Sequence, residues 1–172
     1  MELVSKTVSL RLITEDDAEF VLKLRTDSKY NQFLSAVSSD VEQQKSWIRN
    51  YKADEKAGNQ YYFIIQRNDG VPCGTVRIYD IKDDSFGWGS WILNEDKTRF
   101  AALESAFLVY KFGFEELKFS KSHFEVRKDN SKVVSFHEKM GAVRTSETEQ
   151  DVFLEITKDA VAHSRERLIG KI

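Results

Sequence analysis

Cysteine is almost missing from this sequence. Cys73 stands alone among 172 residues, so no internal disulfide can form, and no His or Cys lies near it at a metal-ligand spacing. A reducing, cytoplasmic compartment and a site without metal are the expectations. An excess of charge of one sign is missing too: 26 Lys and Arg face 28 Asp and Glu, for a formal net charge of −2. No block of like charge is long enough to act as a nucleic-acid tail or a membrane patch, so neither partner is expected. Long apolar runs are also lacking. Met1 to Leu12 alternates polar and apolar residues, which is neither the core of a signal peptide nor a membrane span. There is no internal repeat, low-complexity stretch or linker. A chain of this length builds its own core, and residues 1–172 read as one domain.

The patterning supplies the elements. Val8 to Ile13 reads as a strand. Thr14 with Asp17 opens a helix carrying Ala18, Val21, Leu22 and Arg25. Ser39 with Glu42 forms a capping-box pattern before a helix with Trp47, Ile48 and Tyr51, stopped by Gly58, and Tyr30 to Ser38 is a loop between the two. Tyr61 to Gln66, Cys73 to Ile81 and Phe86 to Leu93 form an antiparallel meander, turning at Asn68-Asp69-Gly70 and Asp83-Asp84. After Lys97 the period changes. Phe100, Leu103, Phe107, Tyr110 and Phe114 recur at alternating steps of three and four, the buried stripe of an amphipathic helix. Phe119 to Arg127 is again a strand. A short helix capped at Asp129-Asn130 carries Val133, Phe136, His137 and Met140 and ends at Gly141. Strands at Val143 to Ser146 and Val152 to Ile156 follow, and Thr157 opens a last helix through Leu168.

This order, with Trp91-Ile92-Leu93 ending a strand, a long helix closing in Phe112-Gly113-Phe114-Glu115-Glu116-Leu117, and Asn130 preceding Phe136-His137-Glu138-Lys139-Met140-Gly141-Ala142, resembles the GNAT N-acetyltransferase family. The resemblance is to the branch holding ribosomal-protein alanine, polyamine and nucleotide-sugar amine acetyltransferases. It spans nearly the whole chain, with its specific part at Trp88 to Ala142. It implies an α/β (α+β) fold, a mixed central sheet of about seven strands with helices on both faces. It also implies acetyl-coenzyme A as co-substrate, a small-molecule primary amine as acceptor, with the Phe136-His137-Glu138-Lys139 variant favouring a nucleotide-linked amino sugar, and a monomer or homodimer. A protein N-terminal acetyltransferase, with an open groove beside the first two helices, and a non-catalytic binding module are the alternatives.

In the family the pyrophosphate of coenzyme A rests on main-chain amides where a loop becomes the long helix, because unpaired N–H groups and the positive end of the helix dipole converge there. The matching positions here are Lys97, Thr98, Arg99, Phe100, Ala101 and Ala102. Phe100 stands where the family has a glycine. Either its ring turns into the core as the first member of the helix stripe, while Lys97, Thr98 and Arg99 add donors, or the loop does not bind. The resemblance further implies that the strand ending Trp91-Ile92-Leu93 splays from Phe119 to Arg127, that pantetheine pairs with the main chain of Leu93, and that Asn130 contacts the cofactor, unless it is a simple helix cap.

Acyl transfer to an amine needs a proton acceptor and a donor to the departing thiolate. Seven residues after Asn130, where the superfamily places that donor, this chain has His137. Its ordinary pKa near 6.5 would leave it partly protonated at neutrality. The other reading is a helix residue packed beside Val133 and Met140. Alternation puts Lys121, His123, Glu125 and Arg127 on one face of their strand. A covered central strand should not carry four polar side chains on one side, so an open cleft is expected there, with Glu125 or His123 taking the amine proton. Lys121 and Arg127 read rather as an ion-paired face. Asp80 is a further candidate base or a turn residue, Trp88 and Trp91 line a pocket or fill the core, and Cys73 is a small buried apolar residue.

Overall fold

The computed structural model describes residues 2–33 and 39–172, so the part of the expected loop at 34–38 lies outside the described residues. Seven strands, β1 (Val8–Leu12), β2 (Tyr61–Arg67), β3 (Pro72–Lys82), β4 (Ser85–Leu93), β5 (Lys121–Arg127), β6 (Val143–Glu147) and β7 (Asp151–Thr157), form one sheet in the order β1-β2-β3-β4-β5-β7-β6. All neighbours are antiparallel except β4 and β5. The helices are α1 (Ala18–Thr26), α2 (Val41–Ala57), α3 (Ala101–Lys111), α4 (Ser131–Lys139) and α5 (Lys158–Leu168).

Period-two alternation divides the core. On β2, Tyr62 and Ile64 join Ile13, Val21, Ile48 and Tyr51 under α1 and α2. Phe63 and Ile65 face the other way, into the larger cluster with Val76, Ile78, Phe107, Tyr110 and Val161 beneath α3 and α5. Helices thus cover both faces of the sheet.

Local chemistry sets the ends. Asp17 accepts from the Thr14 amide (2.9 Å) and a twin hydrogen bond from Arg11 (2.8 and 2.8 Å), closing a short 3₁₀ turn before α1. The cap of α2 is Asp40, not Ser39: its carboxylate accepts from the Glu42 amide at 2.9 Å. Aspartate one residue later satisfies the same orphan amide. Gly58 ends α2 in the left-handed region, φ +78°, and Thr157 caps α5 by accepting from the Ala160 amide. α3 runs on into a π turn, Phe112–Glu116. Gly113 sits there against β4, where an added Cβ would lie 2.2 Å from the Phe86 ring. β5 begins at Lys121 rather than Phe119, because Lys118 takes φ +67° and the Phe119 amide bonds Gly113 O.

Candidate active site

The sheet is open in its middle. β4 and β5 pair only at Ser85–Lys121, Phe86–Ser122 and Gly87–His123, and no ladder joins them beyond Gly87. β5 keeps its full ladder with β7 from Lys121 to Arg127, so β4 is the strand that diverges. The cause is a bulge. Between the pairs Thr75–Ile92 and Arg77–Gly89, β4 holds one residue more than β3, and Ser90 takes φ +48°. A bulge raises local twist and re-aims the strand, and a non-glycine residue in the left-handed region marks a site held by its surroundings. Here the Thr75 hydroxyl donates to Ser90 O at 3.2 Å.

Past the bulge, the Asn94 amide donates to Cys73 O at 2.8 Å, toward β3. Successive peptide groups of a strand point to opposite edges, so the N–H and C=O of Leu93 face the gap. Ile92 faces β3 and is buried, while Trp91 and Leu93 are half-buried. The gap is a cleft of about 400 Å³. Asn130, Val133 and His137 of the α4 region line one side, Arg25, Tyr30 and Phe33 of the α1 region the other, with Tyr79, Trp88, Glu125 and Arg127 between.

His137 lies at the back of this cleft with 4% of its surface exposed. Its ring packs against Phe124 (centroids 4.1 Å), Trp88 (5.3 Å) and Phe136 (5.9 Å), and Nδ1 has no hydrogen-bond partner among the described residues. Burial pushes its pKa down to about 3. The expected partial protonation at neutrality is therefore wrong: an aromatic box disfavours the imidazolium. A neutral His137 ring has one nitrogen able to donate a hydrogen bond and one able to accept.

The alternating face of β5 is as expected, with Lys121 and His123 half-buried, Glu125 and Arg127 exposed, and Ser122, Phe124 and Val126 buried on the other side. Lys121 pairs with Glu155 at 3.4 Å, whereas Glu125 has no ion pair among the described residues and borders both the cleft and a second depression of about 320 Å³ beside β7. His123 is held at both nitrogens. Nε2 lies 3.0 Å from Asp80 Oδ2 and Nδ1 2.5 Å from Ser85 Oγ. An ionised carboxylate only accepts, so Nε2 carries the proton, and in the neutral ring Nδ1 accepts from the Ser85 hydroxyl. Its lone pair is already taken.

Asp80 is not a turn residue but part of a second bulge, in β3, with φ +50°. Burial works to raise its pKa, yet hydrogen bonds from His123 and Lys82 leave it below the usual carboxylate range. Cys73 is fully buried, and burial pushes its thiol up to about 11, which leaves it unreactive. Trp88 belongs to the core and to the cleft wall at once, and Trp91 donates to Ser105 Oγ at 3.2 Å.

The segment before α3 departs from expectation at two points. Phe100 does not turn into the core. It is half-buried as the residue preceding α3, under the Arg99 guanidinium at 5.1 Å, and Ala101 takes the buried place. A phenyl ring would need room that the small side chain of Ala101 does not. Nor is the Thr98 hydroxyl a spare donor. Glu104, 1% exposed, accepts from the Thr7 amide (2.7 Å) and the Thr7 hydroxyl (2.5 Å). Thr7 Oγ1, its hydrogen spent on Glu104, accepts from Thr98 Oγ1 at 2.7 Å. The main-chain amides of Arg99, Phe100, Ala102 and Leu103 take no acceptor among the described residues, which leaves a row of free donors beside Lys97 at the helix start. Asn130 precedes α4 without its side chain capping it, and that side chain borders the cleft.

Tyr79 of β3 and Arg25 of α1 also line the cleft, and the sequence pattern did not single them out as site residues. One signal for Tyr79 was present: Gly87 and Gly89 lie two apart in β4, and a Cβ on Gly89 would sit 2.8 Å from the Tyr79 hydroxyl. Among the described residues no group of His, Cys, Asp and Glu is arranged to hold a metal ion, and no helix is long and apolar enough to cross a membrane.

A family model described as an acetyltransferase (GNAT) domain matches residues 7–143. The chain is 48% identical to FdhC, solved without ligand and described as a nucleotide-linked sugar GNAT, over 98% of this chain and 97% of that one, with a TM-score of 0.91. It is 17% identical to a variant of the spermidine N-acetyltransferase SpeG from Vibrio cholerae over 90% of this chain and 96% of that one, TM-score 0.75. An acetyltransferase of the GNAT family from Bacillus anthracis is 16% identical over 92% of this chain and 99% of that one, TM-score 0.76. These last two show the fold alone. No curated protein matches the chain.

Proposed function

The chain belongs to the GNAT acetyltransferase family, and on that premise we propose that it moves an acetyl group from acetyl-coenzyme A to the primary amine of a nucleotide-linked amino sugar. The observation that carries this reading is the unpaired edge of β4 beyond Gly87, which opens onto both faces of the sheet. An extended chain can add to such an edge as a strand would. Bound acetyl-coenzyme A would supply an acyl group activated as a thioester.

The residues present fit that ligand. The main chain of Leu93 would hold the pantetheine arm. The free amides of Arg99, Phe100, Ala102 and Leu103, with Lys97 and the helix dipole, would hold the diphosphate. Trp91 and Asn130 would frame the arm, whereas Ile92, buried and paired with β3, is turned away from it. Arg25 on the α1 side and Arg127 on β5 bring positive charge to the cleft, suited to the diphosphate of a nucleotide-linked acceptor, in keeping with the description of FdhC.

Glu125 faces the cleft without an ion-pair partner among the described residues, so it takes the proton of the attacking amine, directly or through water. His123 is the weaker candidate because both its nitrogens are engaged. His137, neutral in its aromatic box, donates a hydrogen bond toward the departing sulfur rather than a proton from an imidazolium.

A thiol-release assay with acetyl-coenzyme A and a panel of amines tests the reading. A nucleotide-linked amino sugar should give a kcat/KM at least about a hundredfold above those of spermidine and of a peptide N-terminus. Equal or better use of the peptide would overturn the acceptor, and no thiol release with any amine would overturn the activity.

A further inference from the structure

Glu104 is a carboxylate buried to 1% exposure in the first turn of α3, with no cationic partner among the described residues. Burying such a group is costly unless its oxygens are fully used. Here both are used, and by one residue: the Thr7 amide donates to Oε1 and the Thr7 hydroxyl to Oε2. Thr7 leads into β1 and lies 91 positions from Thr98, whose hydroxyl it accepts. A negative charge so close to the start of α3 also opposes an anion there.

We propose that Glu104 and Thr7 are positioning residues that hold the 97–100 segment, through Thr98, in the shape that leaves its amides open to a diphosphate. This inference rests on the coenzyme A reading given above. The physical need comes from Phe100. A glycine at that place lets the main chain wrap a phosphate by its own freedom, whereas a phenylalanine does not have those conformations. With that freedom lost, the segment is shaped from outside, by a strut running from β1 through a buried carboxylate. Thr98 contributes its hydroxyl to the strut and its main chain to the segment.

Glutamine at 104 separates the strut from the charge. Its Oε1 still accepts from the Thr7 amide, while its Nε2 donates to Thr7 Oγ1. The Thr7 hydroxyl then turns to donate to Thr98, and the Thr98 hydrogen becomes free to point outward. Glu104→Gln keeps every link, reverses the direction of the chain and removes the opposing charge. Glu104→Ala and Thr7→Val break the strut.

Calorimetric titration of the full chain with coenzyme A is the test, set beside kcat/KM for acetyl-pantetheine, a donor without the diphosphate. Glu104→Ala and Thr7→Val should each weaken coenzyme A by about tenfold, the scale of one lost hydrogen bond to a charged group, and leave acetyl-pantetheine within about twofold. Amide exchange at Lys97 and Ala101, which donate to Asn94 O and Thr98 O, should quicken in the same variants without ligand. Glu104→Gln should bind coenzyme A as tightly as the parent or more tightly. Unchanged coenzyme A affinity in Thr7→Val and Thr98→Val, which spare the buried carboxylate should Glu104→Ala fold poorly, would overturn the inference. So would an equal loss with acetyl-pantetheine, which would reduce the strut to general stability. Failure of the parent to bind coenzyme A would instead remove the reading beneath it.

Discussion

His137 is the residue in which burial and chemistry meet. Its folded pKa lies near 3 because the aromatic box excludes the charge, while in the unfolded chain it returns to about 6.5. The unfolded state therefore binds a proton that the folded state refuses, and stability falls as pH drops below about 6.5 toward 3. Urea unfolding of the parent and of His137→Phe checks this: between pH 7 and pH 5 the parent should lose about 2 kcal/mol more than the variant. A parallel pH dependence would mean that His137 is readily charged in place. In turnover, His137→Ala should lower kcat by about a hundredfold with coenzyme A affinity little changed, the pattern of a donor lost from the reacting end. Loss of affinity with kcat intact would assign the ring to packing.

At the scale of elements, the opening between β4 and β5 follows from one extra residue in β4. The meander, the stripe of α3 and the polar face of β5 were legible in the sequence because period two and period three-and-a-half are written directly in the side chains. The polar face even implied a cleft, since Lys121, His123, Glu125 and Arg127 could not all be covered. The bulge at Ser90 was not legible. A serine gives no sign of a positive φ, and the register that exposes it is a relation to β3. The strut from Thr7 through Glu104 to Thr98 was hidden for the same reason, joining residues far apart in the chain. Phe100 misled because it keeps helical spacing with Leu103, although the helix begins one residue later. Leu93 offers a test of the open edge. Its N–H is not part of the β3 ladder, so Leu93→Pro should leave the fold intact and weaken coenzyme A by about tenfold through one missing main-chain donor. A calorimetric titration matching the parent would show that the edge of β4 is not used.

At the scale of the whole molecule, the cleft between β4 and β5 lies between two helical layers, and its lining residues divide between them. Asn130 and His137 stand on the side of α4, Arg25 and Tyr30 on the side of α1, and Glu125 at the border. A thioester arm entering from the first side would meet an amine entering from the second. The measurement that tests this most directly is a crystal structure of the chain grown with coenzyme A. The pantetheine arm should lie beside the main chain of Leu93, its sulfur near His137, and its diphosphate on the amides of Arg99, Phe100, Ala102 and Leu103. Strands β4 and β5 closed along their length, or the ligand bound elsewhere with the cleft empty, would contradict it.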